Sequence, residues 1–237
     1  MPLDSRGNTI VWEPELDSMR ERYEGRSRRY DPWVPWVYMT RQELERKVIR
    51  LLARAGQLPP AERRVLEVGC GSGANLRFFL NLGFEARNLL GCELLNSRVA
   101  AALAALPPAV TIIEGNAASI DLPDASFDIV FQSLVFSSIL HDELQMAVAR
   151  RMWELVRPGG GILWYDFVYN NPSNPGVRGV SLRRVRELFP GPLRYARWVT
   201  LAPPISRLAT RMHPIMYTLL NGFAPLRTHR LCWIPKS

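Results

Sequence analysis

Lysine is nearly missing from this chain of 237 residues: Lys47 and Lys236 stand alone, while Lys+Arg total 30 against 22 Asp+Glu. The formal charge of +8 is therefore arginine charge. Arginine makes planar, bidentate contacts to carboxylate and phosphate, yet arginine in place of lysine also follows from genome base composition, and net charge speaks first to solubility and non-specific binding. Nucleic acid is not the expected partner, because positive charge is spread along the chain and no recognisable RNA-binding module accompanies it. Cysteine is scarce, and Cys70, Cys92 and Cys232 are too widely spaced for a disulfide framework or a paired zinc-ligand motif. No metal is expected. Long apolar runs are missing too: none approaches the roughly 20 residues of a spanning helix. The charged first segment lacks the apolar stretch of a signal peptide, so the expected location is the cytoplasm.

What remains is the composition of a globular domain, 47% hydrophobic and 22% charged. The length suits one α/β domain with decoration rather than two domains. Residues 1–60 are expected to be an arm and a helix, serving as a lid. Few apolar positions recur in 1–39, but Tyr30, Trp33, Trp36 and Tyr38 form an aromatic cluster among arginines, read as an irregular or partly helical arm. Thr40 and Glu43 have capping-box spacing, and Leu44, Val48, Leu51 and Leu52 share a helical face up to Ala55, before Gly56 and Pro59-Pro60.

From Arg64 onward, in the core at 61–237, short apolar runs alternate with helical stretches, the pattern of a parallel sheet covered on both faces. Strands are expected at 65–68, 88–92, 110–114, 127–132, 161–167, 193–201 and 229–234, and helices at 75–82, 97–105, 142–156 and 181–188. This predicts an α/β fold: a seven-stranded, doubly wound Rossmann-like sheet with ligands beyond the carboxyl ends of its strands. An N-terminal helical arm and a C-terminal insertion before the last strand complete it. The insertion, 202–226, carries Pro203-Pro204, Arg207, Arg211, His213 and an apolar stretch at 215–220. Its expected role is a cover for the active site or a subunit contact, ahead of peripheral contact with a membrane.

The most informative stretch is Glu67-Val68-Gly69-Cys70-Gly71-Ser72-Gly73-Ala74-Asn75. Its glycines permit a tight turn and close backbone approach, and the helix that follows presents free amides. Gly69, Gly71 and Ala74 also satisfy the tolerant dinucleotide fingerprint. Glu67 opposes that occupant, since a carboxylate repels a pyrophosphate and attracts a ligand bearing an ammonium and a sulfonium.

With its later segments added, the chain resembles the class I S-adenosylmethionine-dependent methyltransferases. Glu67, Gly69, Cys70, Gly71 and Gly73 resemble the family's first motif, and the resemblance implies that they cradle the methionine part and ribose of S-adenosyl-L-methionine. Glu93, followed by Leu94, matches the acidic residue that accepts hydrogen bonds from both ribose hydroxyls. Gly115-Asn116-Ala117 resembles the segment bordering the adenine, with Asn where the family more often has Asp. Phe127 to Ser133, including Gln132, is similar to the fourth strand, and Pro158-Gly159-Gly160 to the turn before the fifth. The resemblance implies in-line transfer of a methyl group to an O, N, S or C nucleophile, with positioning and exclusion of water as the protein's main tasks.

Many small-molecule members of this family carry a histidine pair after the fourth strand, where this chain has Ser137-Ser138 and reaches His141-Asp142 a turn later. His141 is a candidate base; the competing explanation is a residue preceding a helix capped by Asp142 and Gln145. Beyond the fifth strand, Tyr165, Asp166, Asn170 and Arg178 gather a phenol, a carboxylate, an amide and a guanidinium near the active-site edge, although Asn-Pro pairs there are also good turn formers. Asp166 is the second catalytic candidate. Ser137, Tyr165, Asn170, Arg178 and Tyr30 are the candidate substrate contacts. The expected acceptor is a small molecule, such as a natural product, saccharide or lipid-linked metabolite, and the protein a monomer or homodimer. A nicotinamide-dependent oxidoreductase, a non-catalytic S-adenosylmethionine-binding regulator, and methyl transfer to RNA or protein remain open alternatives.

Overall fold

The computed structural model describes residues 12–24, 31–171 and 174–237. Tyr30 lies outside the described residues. Two helices come first, α1 (Glu13–Glu24) and α2 (Pro35–Arg54). The core follows as β1 (Val65–Val68), α3 (Ala74–Asn81), β2 (Leu89–Glu93), α4 (Asn96–Ala105), β3 (Thr111–Glu114), β4 (Phe127–Ser133), α5 (Asp142–Leu155) and β5 (Val156–Phe167). It ends with α6 (Leu182–Leu188), β6 (Arg194–Leu201), α7 (Pro203–Met212), α8 (Pro214–Leu220) and β7 (Arg227–Pro235).

The strands form one seven-stranded sheet in the order β3-β2-β1-β4-β5-β7-β6. Strand β7 runs antiparallel to both its neighbours, β5 and β6. The order reverses between β1 and β4, the point at which a doubly wound sheet opens a crevice beyond its strand ends. All of β1 is buried, as a strand covered on both faces must be. Its side chains alternate between faces. Leu66 and Val68 join Val130, Ile162 and Trp164 under α5 and α6, while Val65 joins Ile129, Phe131 and Leu163 under α2 and α3. Glu67 shares the face of Val65 and so meets the start of α3.

Three expectations about local structure are corrected. Helix α2 begins at Pro35, a residue suited to a first turn, so Thr40 and Glu43 lie inside the helix and form no capping box. Glu43 instead pairs with Arg46 at 2.7 Å and Lys47 at 3.3 Å. Residues 157–160 run within β5 around a register shift opposite Phe127 and Ile129, rather than forming a separate turn. Helix α5 has His141, not Asp142, at its N-cap position. Asp142 turns outward to Arg178, and buried Gln145 donates to the carbonyls of Phe136 and Ile139, each at 2.9 Å.

The insertion folds into α7 and α8, which pack on each other and against α2. Because β6 and β5 both oppose β7, β6 ends at the same carboxyl edge as β5, and the insertion leaves the sheet there. Among the described residues, no helix is long and apolar enough to cross a membrane.

Candidate functional site

A cavity of about 500 Å³ opens at the switch point, bounded by the carboxyl ends of β1, β2 and β4. Its floor is the turn between β1 and α3. Gly69 (φ +68°) and Gly71 (φ +55°) occupy the left-handed region that glycine enters without strain. A Cβ on Gly69 would collide with Val135, whereas one on Gly71 would meet nothing within 4 Å. Gly71 is thus required for its backbone conformation, Gly69 for space as well.

Two carboxylates organise this floor. Glu93, at the end of β2, accepts from the amide of Gly71 at 2.7 Å through Oε2. Its Oε1 accepts from the amides of Leu94 at 2.9 Å and Leu95 at 3.1 Å. Three fixed donors suit an ionised acceptor, and Oε2 keeps a further lone pair. Glu67 is less well served. Its Oε1 accepts from Asn75 Nδ2 at 2.6 Å, but its Oε2 is buried without a partner. Burial pushes the Glu67 pKa up to about 8, against the opposing effects of Asn75 and Arg41. A cation brought to Glu67 would recover the charge that burial suppresses.

The remaining walls come from three elements. Asn116 and Ala117 line the side beyond β3; Asn116 Oδ1 accepts from the amide of Ala118 at 2.9 Å, fixing the turn. Val135, Ile139, Leu144 and Val148 supply an apolar wall from the segment after β4 and from α5. The roof is α1, which presents Leu16, Met19 and Tyr23 to the cavity.

Helix α1 is tied down along its length. Glu15 accepts from the amide of Leu140 at 3.3 Å, Arg22 donates to the carbonyl of Ser138 at 3.0 Å, and the Tyr23 hydroxyl is hydrogen-bonded to Ser138 Oγ. The guanidinium of Arg98 stands 4.7 Å from the centre of the Tyr23 ring.

Residues 65–160, the stretch that builds this floor, match the family model described as a methyltransferase domain. That stretch is thus similar in sequence to a methyltransferase domain. It is 36% identical over 103 residues to a probable S-adenosylmethionine-dependent methyltransferase of Mycolicibacterium smegmatis, a match covering 44% of this chain and 37% of that protein. The chain thus spans little more than a third of that relative's length. Among solved structures, it resembles the 1,6-didemethyltoxoflavin N1-methyltransferase of Burkholderia thailandensis, crystallised with 1,6-didemethyltoxoflavin and S-adenosylhomocysteine. The TM-score is 0.65 at 16% identity, over 100% of this chain and 94% of that one. It also resembles the 4+2 cyclase SpnF, with a TM-score of 0.58 at 17% identity over 82% of each chain. At such identities the likeness is one of fold, and the fold hosts more than one chemistry.

The floor of the cavity fits S-adenosylmethionine, the cofactor that the resemblance implies. The unpartnered buried oxygen of Glu67 calls for a cationic or hydrogen-donating group, and the remaining lone pair of Glu93 for a hydroxyl. Of the residues expected to hold the cofactor, Glu67, Gly69, Cys70, Gly71, Glu93, Leu94, Asn116 and Ala117 line the cavity. Gly73 and Gln132 do not. Gly73 caps α3 beneath Leu106, where a Cβ would stand 2.5 Å from Leu106 Cδ1. Gln132 is wholly buried, donating to the carbonyl of Tyr165 at 3.2 Å and accepting from the amide of Val135 at 3.1 Å. It shapes the wall without touching the cavity.

The candidate catalytic and substrate residues lie elsewhere. Asp166 is completely buried, and its carboxylate accepts from the amides of Ser137 at 3.0 Å and Phe167 at 2.9 Å. It binds the end of β5 to the turn after β4 and does not reach the cavity. Ser137 is the other half of that clamp. Tyr165 is buried under β6, bonded to Thr200 Oγ1 at 2.6 Å and stacked on His229 at 5.1 Å. Asn170 accepts from the amide of Gly179 at 2.9 Å, closing its own loop, and Arg178 pairs with Asp142. His141 is exposed, edge-on to Trp12 at 5.7 Å. The crevice opens between β1 and β4, whereas Tyr165 and Asp166 end β5, Asn170 and Arg178 follow it, and Ser137 and His141 come after β4 without lining the cavity.

Tyr23, Asp31 and Arg98 are among the cavity residues that sequence reasoning passed over, and Ser138 was noted only for standing where many relatives have histidine. A signal for the first existed, since Leu16, Met19 and Tyr23 have the spacing of one helical face.

Proposed function

We propose that the chain transfers a methyl group from S-adenosylmethionine to a small-molecule acceptor with an apolar body, held between α1 and the segment after β4. The observation that supports this is the division of the cavity. Its floor is polar and carries two carboxylates, whereas Leu16, Met19, Val135, Ile139, Leu144 and Val148 make the opposite side apolar. The hydroxyls of Tyr23 and Ser138 lie on that apolar side, suited to orienting one polar group of the acceptor.

When bound, the cofactor supplies a methyl group on positively charged sulfur, so its leaving group is already good. Glu93 fixes its orientation and Glu67 balances its positive charge. Helix α1 excludes water and holds the acceptor in line, which is where most of the rate enhancement would arise. Among the described residues no histidine lines the cavity, whereas Asp31 and Tyr23 do. The toxoflavin-type neighbour, which acts on a small molecule, is consistent with this class of acceptor.

Calorimetry with S-adenosylmethionine, S-adenosylhomocysteine and both nicotinamide cofactors tests the first half. The two adenosyl ligands should bind and the nicotinamides should not; binding of a nicotinamide alone overturns the proposal. Transfer of a labelled methyl group to a panel of small apolar acceptors tests the second half. Transfer to RNA or protein in place of every small acceptor would overturn that half alone.

A further inference from the structure

Large apolar side chains ordinarily turn inward, but on α7 and α8 they turn outward. Leu208, Met212, Ile215, Leu219 and Phe223 are exposed, each 56% or more. Leu208 and Met212 stand four apart on α7, and Ile215 and Leu219 four apart on α8, so each pair shares a face of its own helix; with Phe223 just after α8 they form an exposed apolar stripe along the insertion. The inward positions belong to Ser206, Ala209 and Tyr217. Ser206 is satisfied by donating to the carbonyl of Leu201 at 2.9 Å, so the inverted pattern is built into the packing. Exposed Trp33 and Tyr38 stand at the start of α2, the helix against which α7 and α8 pack.

Positive charge predominates around this stripe. Residues 188–237 contain no aspartate or glutamate, while Arg207 and Arg211 lie in α7 itself. Ala224, next in the chain to Phe223, borders a groove of about 360 Å³ lined by Lys47, Arg50, Arg54, Arg197, Arg227 and Arg230 and by no carboxylate. Arg230 lies 3.5 Å from the centre of the Trp198 ring, and its Nε is buried without a partner.

We propose that α7, α8 and this groove dock the protein on the surface of an anionic phospholipid bilayer. The apolar stripe enters the boundary between headgroups and acyl chains, and the arginines take up headgroup phosphates, as an interfacial amphipathic element does. A nucleic acid would fit the groove but leave the outward aliphatic row without a partner. A second copy of the chain would set one carboxylate-free, arginine-rich surface against another, which like-charge repulsion opposes. The two helices are too short to span, so the contact is peripheral. It stands independently of the methyl-transfer proposal, because none of these residues lines the cofactor cavity.

The test is cosedimentation of the full chain with vesicles of phosphatidylglycerol and phosphatidylcholine, and with phosphatidylcholine alone. Pelleting is expected with the anionic vesicles and not with the neutral ones. Leu208→Asp/Leu219→Asp and Arg50→Glu/Arg197→Glu should each lower partition by about tenfold or more. All four side chains are exposed, so melting and S-adenosylhomocysteine binding should be unchanged. Failure of the wild type to pellet with anionic vesicles overturns the proposal, and so does full pelleting of the leucine variant. A wild-type dimer in sedimentation velocity that the leucine variant splits, without vesicle binding, also overturns it and assigns the stripe to self-association.

Discussion

The amide of Gly71 and the Oε2 of Glu93 stand 2.7 Å apart, so the turn after β1 and the end of β2 are a single bonded unit. Since the amides of Leu94 and Leu95 share the same carboxylate, Glu93 shapes the cofactor cradle before any ligand arrives. Glu93→Ala would leave three amides without their acceptor, each charge-assisted bond being worth about 1.5–3 kcal/mol. Calorimetry should show S-adenosylhomocysteine binding weakened by about a hundredfold or more, with a lower melting temperature. Glu93→Gln, which keeps one acceptor oxygen, should fall between the two. Normal affinity in the alanine variant would mean that the carboxylate holds neither loop nor ligand.

Glu67 makes a prediction about pH. Its pKa in the folded protein is raised by burial to about 8, from 4.5, so at neutral pH much of it is protonated until a cation arrives. Affinity for S-adenosylmethionine should therefore rise between about pH 6 and 8, by up to about tenfold per unit, with proton release visible in buffers of different ionisation enthalpy. Glu67→Gln should bind more weakly at pH 8 and show little of that rise. An unchanged pH dependence in this variant would place the titrating group elsewhere.

How far the sequence was legible follows from which interactions are local. The stretch from Glu67 to Asn75 carries its own strand, turn and helix start, and Glu93 closes the next strand of the same parallel half. Short apolar runs and the glycine turn between them were enough to place them. The acceptor side depends on contacts across long sequence separations: Tyr23 meets Ser138, and Arg22 meets the carbonyl of Ser138. No local pattern announces such a pairing. The polar cluster after β5 was misleading for a related reason. Asp166, Asn170 and Arg178 bond main chain and a neighbouring carboxylate to shape loops, and hydrogen-bonding residues that shape loops are drawn from the same amino acids as those that bind substrates.

Tyr23 and Ser138 join the roof to the wall. Tyr23→Phe and Ser138→Ala should each raise the acceptor KM several-fold while leaving S-adenosylhomocysteine affinity near wild type, because neither touches the carboxylates of the floor. His141→Ala, an exposed change outside the cavity, should leave kcat and KM unaltered and stability within about 0.5 kcal/mol. Steady-state kinetics on any accepted substrate separates these cases, and a kcat collapse in His141→Ala would restore that residue as a base.

Asp166 is expected to act on stability rather than on chemistry. Burial raises its pKa from 3.8 to about 7, against the hydrogen bonds from Ser137 and its neighbours that favour the charged form. The folded protein therefore holds a proton that the unfolded chain has released between about pH 4 and 7, and stability falls as pH rises through that window. Asp166→Asn removes this titration but turns an amide donor toward one of two main-chain amides. Urea unfolding should consequently show a lower stability than wild type at about pH 5, a smaller deficit at about pH 8, and a flatter profile between them. A variant profile parallel to the wild type would show that Asp166 stays ionised in its clamp, held by the amides of Ser137 and Phe167 in spite of its burial.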